Sequence, residues 1–357
     1  MQEFLAKYQI RAQRIAVAVS GGADSLALVL MAKEQLAVFG YEIIALTVSH
    51  GLRPSSDDEA RCVAKIMQQY GIEHHILYWR GDKPTAGIEE AARVARYKLL
   101  TEWCRQNKVK FLLTAHHLQD QAETFLMRLQ RGSGLEGLCC MRELTEREGI
   151  SILRPLLHTA PEVMRAYLRQ KGVEWVQDES NFDKRYLRNL IRAFLPQLEA
   201  ATQISAECLA QTAKRLQSAE DYIEKQVDDV FADRVQRIGN TVYCIKYTDF
   251  LSWHNEIKFR VLARLCRREY IPRAERVLNA LKQMQKLPFD GLTLGGKEIF
   301  KAYDKIWIVP EFGAKRKPSR SAWKDFVTTN RQFQNRKIPH KARVAILNDA
   351  GAGDDLQ

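Results

Sequence analysis

Apolar and polar positions follow two rhythms in the first two hundred residues. Short runs rich in β-branched and apolar residues, IAVAV at 15–19, EIIALTVSH at 42–50, EHHILYW at 73–79 and KFLLTAHH at 110–117, read as strands of a buried sheet. Longer segments with helical spacing lie between them. One covers 26–39 and closes on Gly40, one covers 57–71 and opens on acids, and one covers 88–107. The charged, amphipathic stretch at 1–14 and QAETFLMRLQRG after the fourth run also read as helices. This alternation predicts βαβ units and an α/β fold with a doubly wound, Rossmann-like parallel sheet. Ligands of such sheets sit outside the carboxyl ends of the strands. Two polar segments, SGGADS at 20–25 and HHLQDQAET at 116–124, fall at those ends.

Beyond about residue 200 the rhythm changes. Residues 201–235 read as helical, and 240–310 mix short strands (TVYCIKY, KEIF, KIWIV) with the helix NEIKFRVLARLCRREY. A catalytic domain over 1–205 and a smaller α+β C-terminal domain over 206–311 follow from this. From 312 to 343 there are ten Lys/Arg and a single acid, Asp325, and the chain closes on NDAGAGDDLQ. That composition predicts a basic, partly disordered tail over 312–357.

Composition narrows the function class. The 357 residues carry a net charge of +12, which suits a polyanionic partner as well as simple solubility. Seven scattered cysteines with no CxxC pair argue against a disulfide framework and against zinc or iron–sulfur sites. No run approaches the roughly 18–20 apolar residues of a membrane span, and the N-terminus lacks the pattern of a signal peptide. A cytoplasmic protein without a membrane partner is expected.

The hexapeptide Ser20-Gly21-Gly22-Ala23-Asp24-Ser25 carries the first candidate chemistry. Two glycines let backbone approach phosphate oxygens, and the free N–H groups of the following helix point at the anion. Ser20 and Ser25 add hydroxyl donors. Asp24 would repel phosphate unless a cation bridges them, which points to Mg²⁺. The loop is neither a Walker loop nor GxGxxG. A functionless Gly-rich turn would account for SGG alone, but less well for the whole hexapeptide after an apolar strand.

In the second segment Asp120, Glu123 and Thr124 share a helix face, with His116 at the strand end. Such a set holds a cation, orients an ammonium group or moves a proton. A helix N-terminus with favourable acids and a structural histidine is an equal reading of these residues alone. The helix at 88–107 supplies Glu89, Glu90, Arg93, Arg96 and Tyr97, where arginine suits phosphate charge but also suits pairing on a solvated face.

The segments SGGADS, HGLRPSSDDEA, GIEEAARVARY, TAHHLQDQAETFLMRLQRGSG, ILRPLL and DESNFDKRYLRNLIRAFLPQL occur in this order. Together they resemble the tRNA(Ile)-lysidine synthetase family, within the PP-loop or N-type ATP pyrophosphatase superfamily. The resemblance is dense over about 14–200 and looser to about 310. It implies that ATP, with Mg²⁺, activates C2–O of the wobble cytidine of tRNA(Ile) with a CAU anticodon, and that free L-lysine then displaces AMP. It implies ATP and metal binding by Ser20, Gly21, Gly22, Ala23, Asp24 and Ser25. It further implies a catalytic and lysine-binding set of Asp24, Arg96, His116, Asp120 and Glu123, with Asp24 and Asp120 as candidate metal ligands. Two positions depart from the usual pattern: Gln119 replaces a common acid, and Leu190 a common arginine.

Arg185, Arg188 and Arg192 form a basic stripe at helical spacing, and Arg128 and Arg131 flank the flexible Gly132-Ser133-Gly134. Arg131, Arg185, Arg188 and Arg192 are therefore candidate tRNA contacts, with a solvated face as the alternative. Tyr97 and Tyr186 are candidate stacking partners for an unpaired base, though each suits a core position equally well. A homodimer stays open. Rival readings are a tRNA-thiolating PP-loop enzyme, disfavoured by the lack of CxxC pairs, an amide-forming PP-loop synthetase without RNA, and a non-catalytic tRNA-binding protein.

Overall fold

The structure, a computed structural model, describes residues 1–52, 56–84, 86–176, 186–267, 271–286, 289–311, 320–333 and 336–351. Two compact units emerge, Met1–Glu220 and Asp221–Gln357. The first runs α1 (Gln2–Lys7), β1 (Arg14–Ala18), α2 (Ala23–Leu36), β2 (Glu42–Ser49), α3 (Ser56–Gln69), β3 (Glu73–Tyr78), α4 (Ile88–Gln106) and β4 (Phe111–Leu113). It continues with α5 (Leu118–Gln130), α6 (Leu135–Leu138), β5 (Leu144–Arg147), β6 (Ile150–Leu153), α7 (Pro161–Lys171), α8 (Leu187–Thr202) and α9 (Ala206–Arg234). The boundary between the units falls inside α9 rather than at 205/206.

The six strands lie in the order β3-β2-β1-β4-β6-β5. All pairs are parallel except β5–β6. Alternate residues of β1 serve opposite faces: Ile15 and Val17 join α2, α3 and α7, and Ala16 joins Tyr97, Leu100 and Cys104 of α4. Both faces are covered, which is why these strands read as apolar runs. Helix α2 is buried nearly all round, with Leu26, Leu28, Val29 and Leu30 at 0–1% exposure. Each such side chain contributes about 1.5–3 kcal/mol of burial free energy.

Three local features differ from the expected pattern. The N-terminal helix ends at Lys7, because Gln9 takes a left-handed φ of 52° and Ile10 N donates to Leu5 O. Strand β4 is only three residues long. Thr114 N still donates to Leu153 O, after which the chain turns through the two histidines into α5. The β5–β6 hairpin was not expected from periodicity; Glu148 (φ 52°) and Gly149 (φ 78°) supply the two left-handed residues of a type I′ turn.

The second unit holds β7 (Val235–Ile238), β8 (Val242–Lys246), α10 (Tyr247–Ser252), α11 (Asn255–Leu265), α12 (Ala274–Met284), β9 (Leu292–Leu294), β10 (Lys297–Ala302), β11 (Lys305–Pro310), α13 (Arg320–Thr329) and α14 (His340–Gly351). Its antiparallel sheet has the order β7-β8-β11-β10-β9. Strand β11 again serves two layers. Ile306 and Ile308 meet α11 and α12, and Trp307 and Val309 meet Phe333, Ile338, Ala342 and Ile346. The segment expected as a disordered tail therefore contributes two helices to this core. Asp349, within the acidic end, accepts from Thr241 N at 3.0 Å and Thr241 Oγ1 at 2.6 Å. No helix among the described residues is long and apolar enough to cross a membrane.

Ile346 is 2% exposed. Ile346→Ala is expected to lower the unfolding free energy of the second unit by about 2–5 kcal/mol. Urea unfolding followed by tryptophan fluorescence checks it, and a change near zero would mean that α14 does not belong to the core.

Candidate active site at the strand-end edge

Strand β1 ends at Ala18, and the chain turns through Ser20-Gly21-Gly22 into α2. Gly21 adopts φ +89°, and a Cβ there would stand 3.1 Å from Val63 Cγ2, so both conformation and space call for glycine. Val176 N donates to Gly21 O at 3.1 Å. Ser25 Oγ accepts from Ser20 N at 3.1 Å, lies 3.2 Å from Ser20 Oγ and donates to Gly22 O at 3.0 Å, which fixes the loop as a ring. The first N–H groups of α2 at Ala23, Asp24 and Ser25 lack partners within the helix and, with its dipole, form a seat for an anion. Asp24 lies in that first turn, and its Oδ1 is buried with no hydrogen-bond partner.

The second cluster sits at the exit of β4, the strand beside β1. His117 Nε2 lies 3.5 Å from Asp24 Oδ2 and 3.6 Å from Asp120 Oδ2, so one imidazole ties the two motifs together. Burial works against charging this ring, but Asp24, Asp120 and Glu123 outweigh it and hold its pKa above the ordinary value. Asp120 Oδ2 also accepts from His117 N at 3.0 Å, closing the first turn of α5. Burial would push the Asp120 carboxyl up; the charges of His117 and Arg188 win and hold it below the usual range.

Glu123, one turn further along α5, is wholly buried. Arg188 Nε donates to its Oε2 at 2.6 Å, and Arg192 Nε to its Oε1 at 2.6 Å. Arg192 Nη2 reaches Oε2 at 3.2 Å, and Arg188 Nη2 reaches Asp120 Oδ1 at 2.7 Å. Helix α8 is thus fastened to α5 by two guanidiniums on two acids. His116 faces the other way: Nδ1 lies 3.1 Å from Thr114 Oγ1. Burial, followed by the nearby charges of Arg154, Arg96 and Arg188 against that of Asp120, drives its pKa down to about 3. His116 is therefore a neutral imidazole at physiological pH.

This arrangement of a phosphate loop and an acid cluster on adjacent strands matches a PP-loop domain model over residues 1–199. A tRNA(Ile)-lysidine synthase from Wolbachia pipientis wMel is 37% identical over 309 residues, covering 84% of this chain and 70% of the relative. The protein of the same name from Zymomonas mobilis is 39% identical, covering 64% of this chain and 69% of the relative. The chain belongs to the tRNA(Ile)-lysidine synthase family. A solved U34-tRNA thiolase from Methanococcus maripaludis shares the fold, with a TM-score of 0.53 at 19% identity over 60% of this chain and 76% of that one.

Within this lysidine synthase framework the expected residues fall into place unevenly. Ser20, Gly21, Gly22, Ala23, Asp24 and Ser25 form the loop, and Asp24, Asp120, Glu123 and His116 converge on one edge. Arg96, half-buried on α4, is close enough to weigh on His116 and His50. Three expectations meet particular contacts. Both oxygens of Asp120 are engaged, by Arg188 and by the His117 backbone, so a metal there would have to displace a guanidinium. Among the described residues no group of three His, Cys, Asp or Glu forms a metal cage. The unpartnered Asp24 Oδ1 does fit a hard cation that takes its other ligands from phosphate and water. Arg188 and Arg192 both grip the acids of α5 while staying about a third exposed. Tyr97 is 3% exposed in the core and unavailable to a base, whereas Tyr186 is half-buried at the N-cap of α8.

Arg131 is exposed just after α5, and Leu190 is 46% exposed. Gln119 is half-buried in the first turn of α5, and nothing in the structure explains the change there. Arg185, the DESN segment and the Glu89 side chain lie outside the described residues. Sequence reasoning chose His116 and passed over His117. The usable signal was its place immediately before α5, three residues from Asp120, where an acid reaches back to the N-cap.

Two outcomes follow. Glu123→Ala leaves Arg192 without its acid and Arg188 with Asp120 alone, and, with both guanidiniums partly solvated, is expected to lower stability by about 1–3 kcal/mol; Arg188 and Arg192 should then lose protection in hydrogen–deuterium exchange of α8. His117 has a folded pKa above its unfolded one, so its contribution is full below the unfolded value of about 6.5 and fades as pH rises through the folded pKa. The stability gap between wild type and His117→Gln should shrink with rising pH in urea titrations, and a constant gap would remove the charged bridge.

Proposed function

We propose that this chain is an ATP-dependent ligase that joins L-lysine to C2 of the wobble cytidine of tRNA(Ile) with a CAU anticodon. The product is lysidine, which changes codon reading from AUG to AUA. The observation that carries the reading is the meeting of Asp24 and Asp120 on one imidazole, which supports a single reacting centre shared by the phosphate loop and the acid cluster.

In the first step the cytidine O2 bonds to the α-phosphorus of ATP and pyrophosphate leaves. Backbone N–H groups of Ala23, Asp24 and Ser25 would hold phosphate oxygens, and Asp24 would hold Mg²⁺, which supplies charge neutralisation of the triphosphate when bound. Arg96 would stabilise negative charge on the adenylate. His116, being neutral, would act through a single ring N–H or lone pair rather than as a cation. In the second step the lysine ε-nitrogen bonds to C2, the C2–O bond breaks and AMP leaves with the electron pair.

Lysine arrives as an ammonium ion and must give up a proton before attack. Asp120 and Glu123 are the acids that would hold it and take its proton once the guanidiniums of Arg188 and Arg192, which now stand where it would bind and help lower the Asp120 pKa, have withdrawn. The amine would enter by exchange with a guanidinium, which a substrate phosphate would draw away. Arg131 would meet RNA phosphate after α5.

The test is pyrophosphate release from ATP with the tRNA(Ile) transcript, with and without free lysine. Lysine-dependent AMP release, together with a tRNA mass gain matching one lysine residue, is expected. Lysine-independent turnover that requires a sulfur donor would replace the reading with thiolation, and tight tRNA binding without turnover would reduce it to a binding protein.

A further inference from the structure

Beside the acid cluster the same edge carries an opposite charge that the scheme above leaves largely unused. Arg154, just after β6, is 8% exposed. Its Nη1 donates to Arg142 O at 2.7 Å and Thr145 Oγ1 at 3.1 Å, and its Nε is buried with no partner. The Arg147 guanidinium lies 4.8 Å from the centroid of the Tyr97 ring and that of Arg96 5.3 Å from it. Burial lowers the Arg154 pKa, with the Tyr97 hydroxyl helping its charge and Arg93 opposing it. Three guanidiniums, from α4, β5 and the end of β6, therefore gather round one buried tyrosine, and Arg93 on α4 is close enough to weigh on Arg154.

The acids beside Arg147 do not answer it. Glu146 accepts from Ser151 Oγ, and Glu148 from Thr101 Oγ1 at 2.9 Å. Among the described residues no carboxylate forms an ion pair with Arg93, Arg96, Arg147 or Arg154. Exposure is graded, from Arg93 on the surface through half-buried Arg96 and Arg147 to buried Arg154. Such a gradient draws an anion inward, and the free Arg154 Nε gives its end point a donor. Like charges held together in the ligand-free chain favour a polyvalent anion over a single carboxylate, and planar guanidinium forks match phosphate oxygens.

We propose that Arg93, Arg96, Arg147 and Arg154 form a phosphate-binding site around Tyr97, with Arg96 and Arg154 on its His116 side, separate from the phosphate loop. The proposal rests on the reading that phosphate-bearing substrates are handled at this edge. The phosphate comes either from the diphosphate released in the first step or from an RNA phosphodiester near the wobble nucleotide.

The experiment uses the full chain with Arg147→Gln and Arg93→Gln, Arg93 being exposed and therefore harmless to folding. Inorganic pyrophosphate binding is measured by calorimetry. Anticodon stem-loop RNA binding is measured against salt concentration. Arg147→Gln is expected to weaken one or both ligands about tenfold, Arg93→Gln less, and Arg147→Lys should restore much of the loss. A pyrophosphate loss with an unchanged salt slope assigns the site to the leaving diphosphate. A slope shallower by about 0.7–0.9 per variant assigns it to RNA. Both glutamine variants binding pyrophosphate and RNA like wild type, with the same slope, overturns the site even where wild type shows lysine-dependent turnover. Loss of phosphate binding in a chain whose wild type shows no such turnover would keep the site and discard the proposed reaction instead.

Discussion

The strand-end edge depends on one constraint: a fully buried carboxylate must be neutralised whether or not substrate is present. Glu123 has no access to water, and an isolated charge there would cost several kcal/mol. Arg188 and Arg192, sixty-five and sixty-nine residues further along the chain, provide the countercharge. The same contacts that neutralise Glu123 also attach α8 to the parallel-sheet unit. Stability and access to the acid cluster are therefore coupled, and a cation entering that cluster competes with the helix that closes it.

Charge along this edge is of two kinds. Asp120 and Glu123 are already paired with Arg188 and Arg192, and His117 lies between Asp120 and Asp24, which with Glu123 raise its pKa. Arg96 and Arg154 act on His116 and have no ion-paired carboxylate among the described residues. His116 stands between, stripped of its proton by burial and by the arginines despite Asp120. Two adjacent histidines thus have pKa values shifted in opposite directions because the chain turns between them and presents each ring to a different field. The proposed lysine transfer would draw on both kinds, since a uniform field would favour one reactant and exclude the other.

The second unit shows a similar economy in packing. Its antiparallel sheet has apolar side chains on both faces, and Trp307 would be exposed without the layer that α13 and α14 supply. The helices there are basic and short, with apolar residues only where they meet the sheet. Composition alone therefore made them resemble a tail.

What the sequence by itself determined is what local rules govern. The four parallel strands, their connecting helices, the phosphate loop and the family follow from periodicities and from contiguous motifs such as SGGADS and RGSG. These signals survive in one dimension because strand and helix burial repeat at fixed intervals and a phosphate loop is built from consecutive backbone. The tertiary structure alone decided which histidine joins Asp24 to Asp120, that Arg188 and Arg192 pair with the acids of α5, that Tyr97 is core, and that 320–351 completes a hydrophobic layer. Each of these turns on Coulomb interaction or burial between residues far apart in the chain, and no local spacing records which distant partner a side chain will meet.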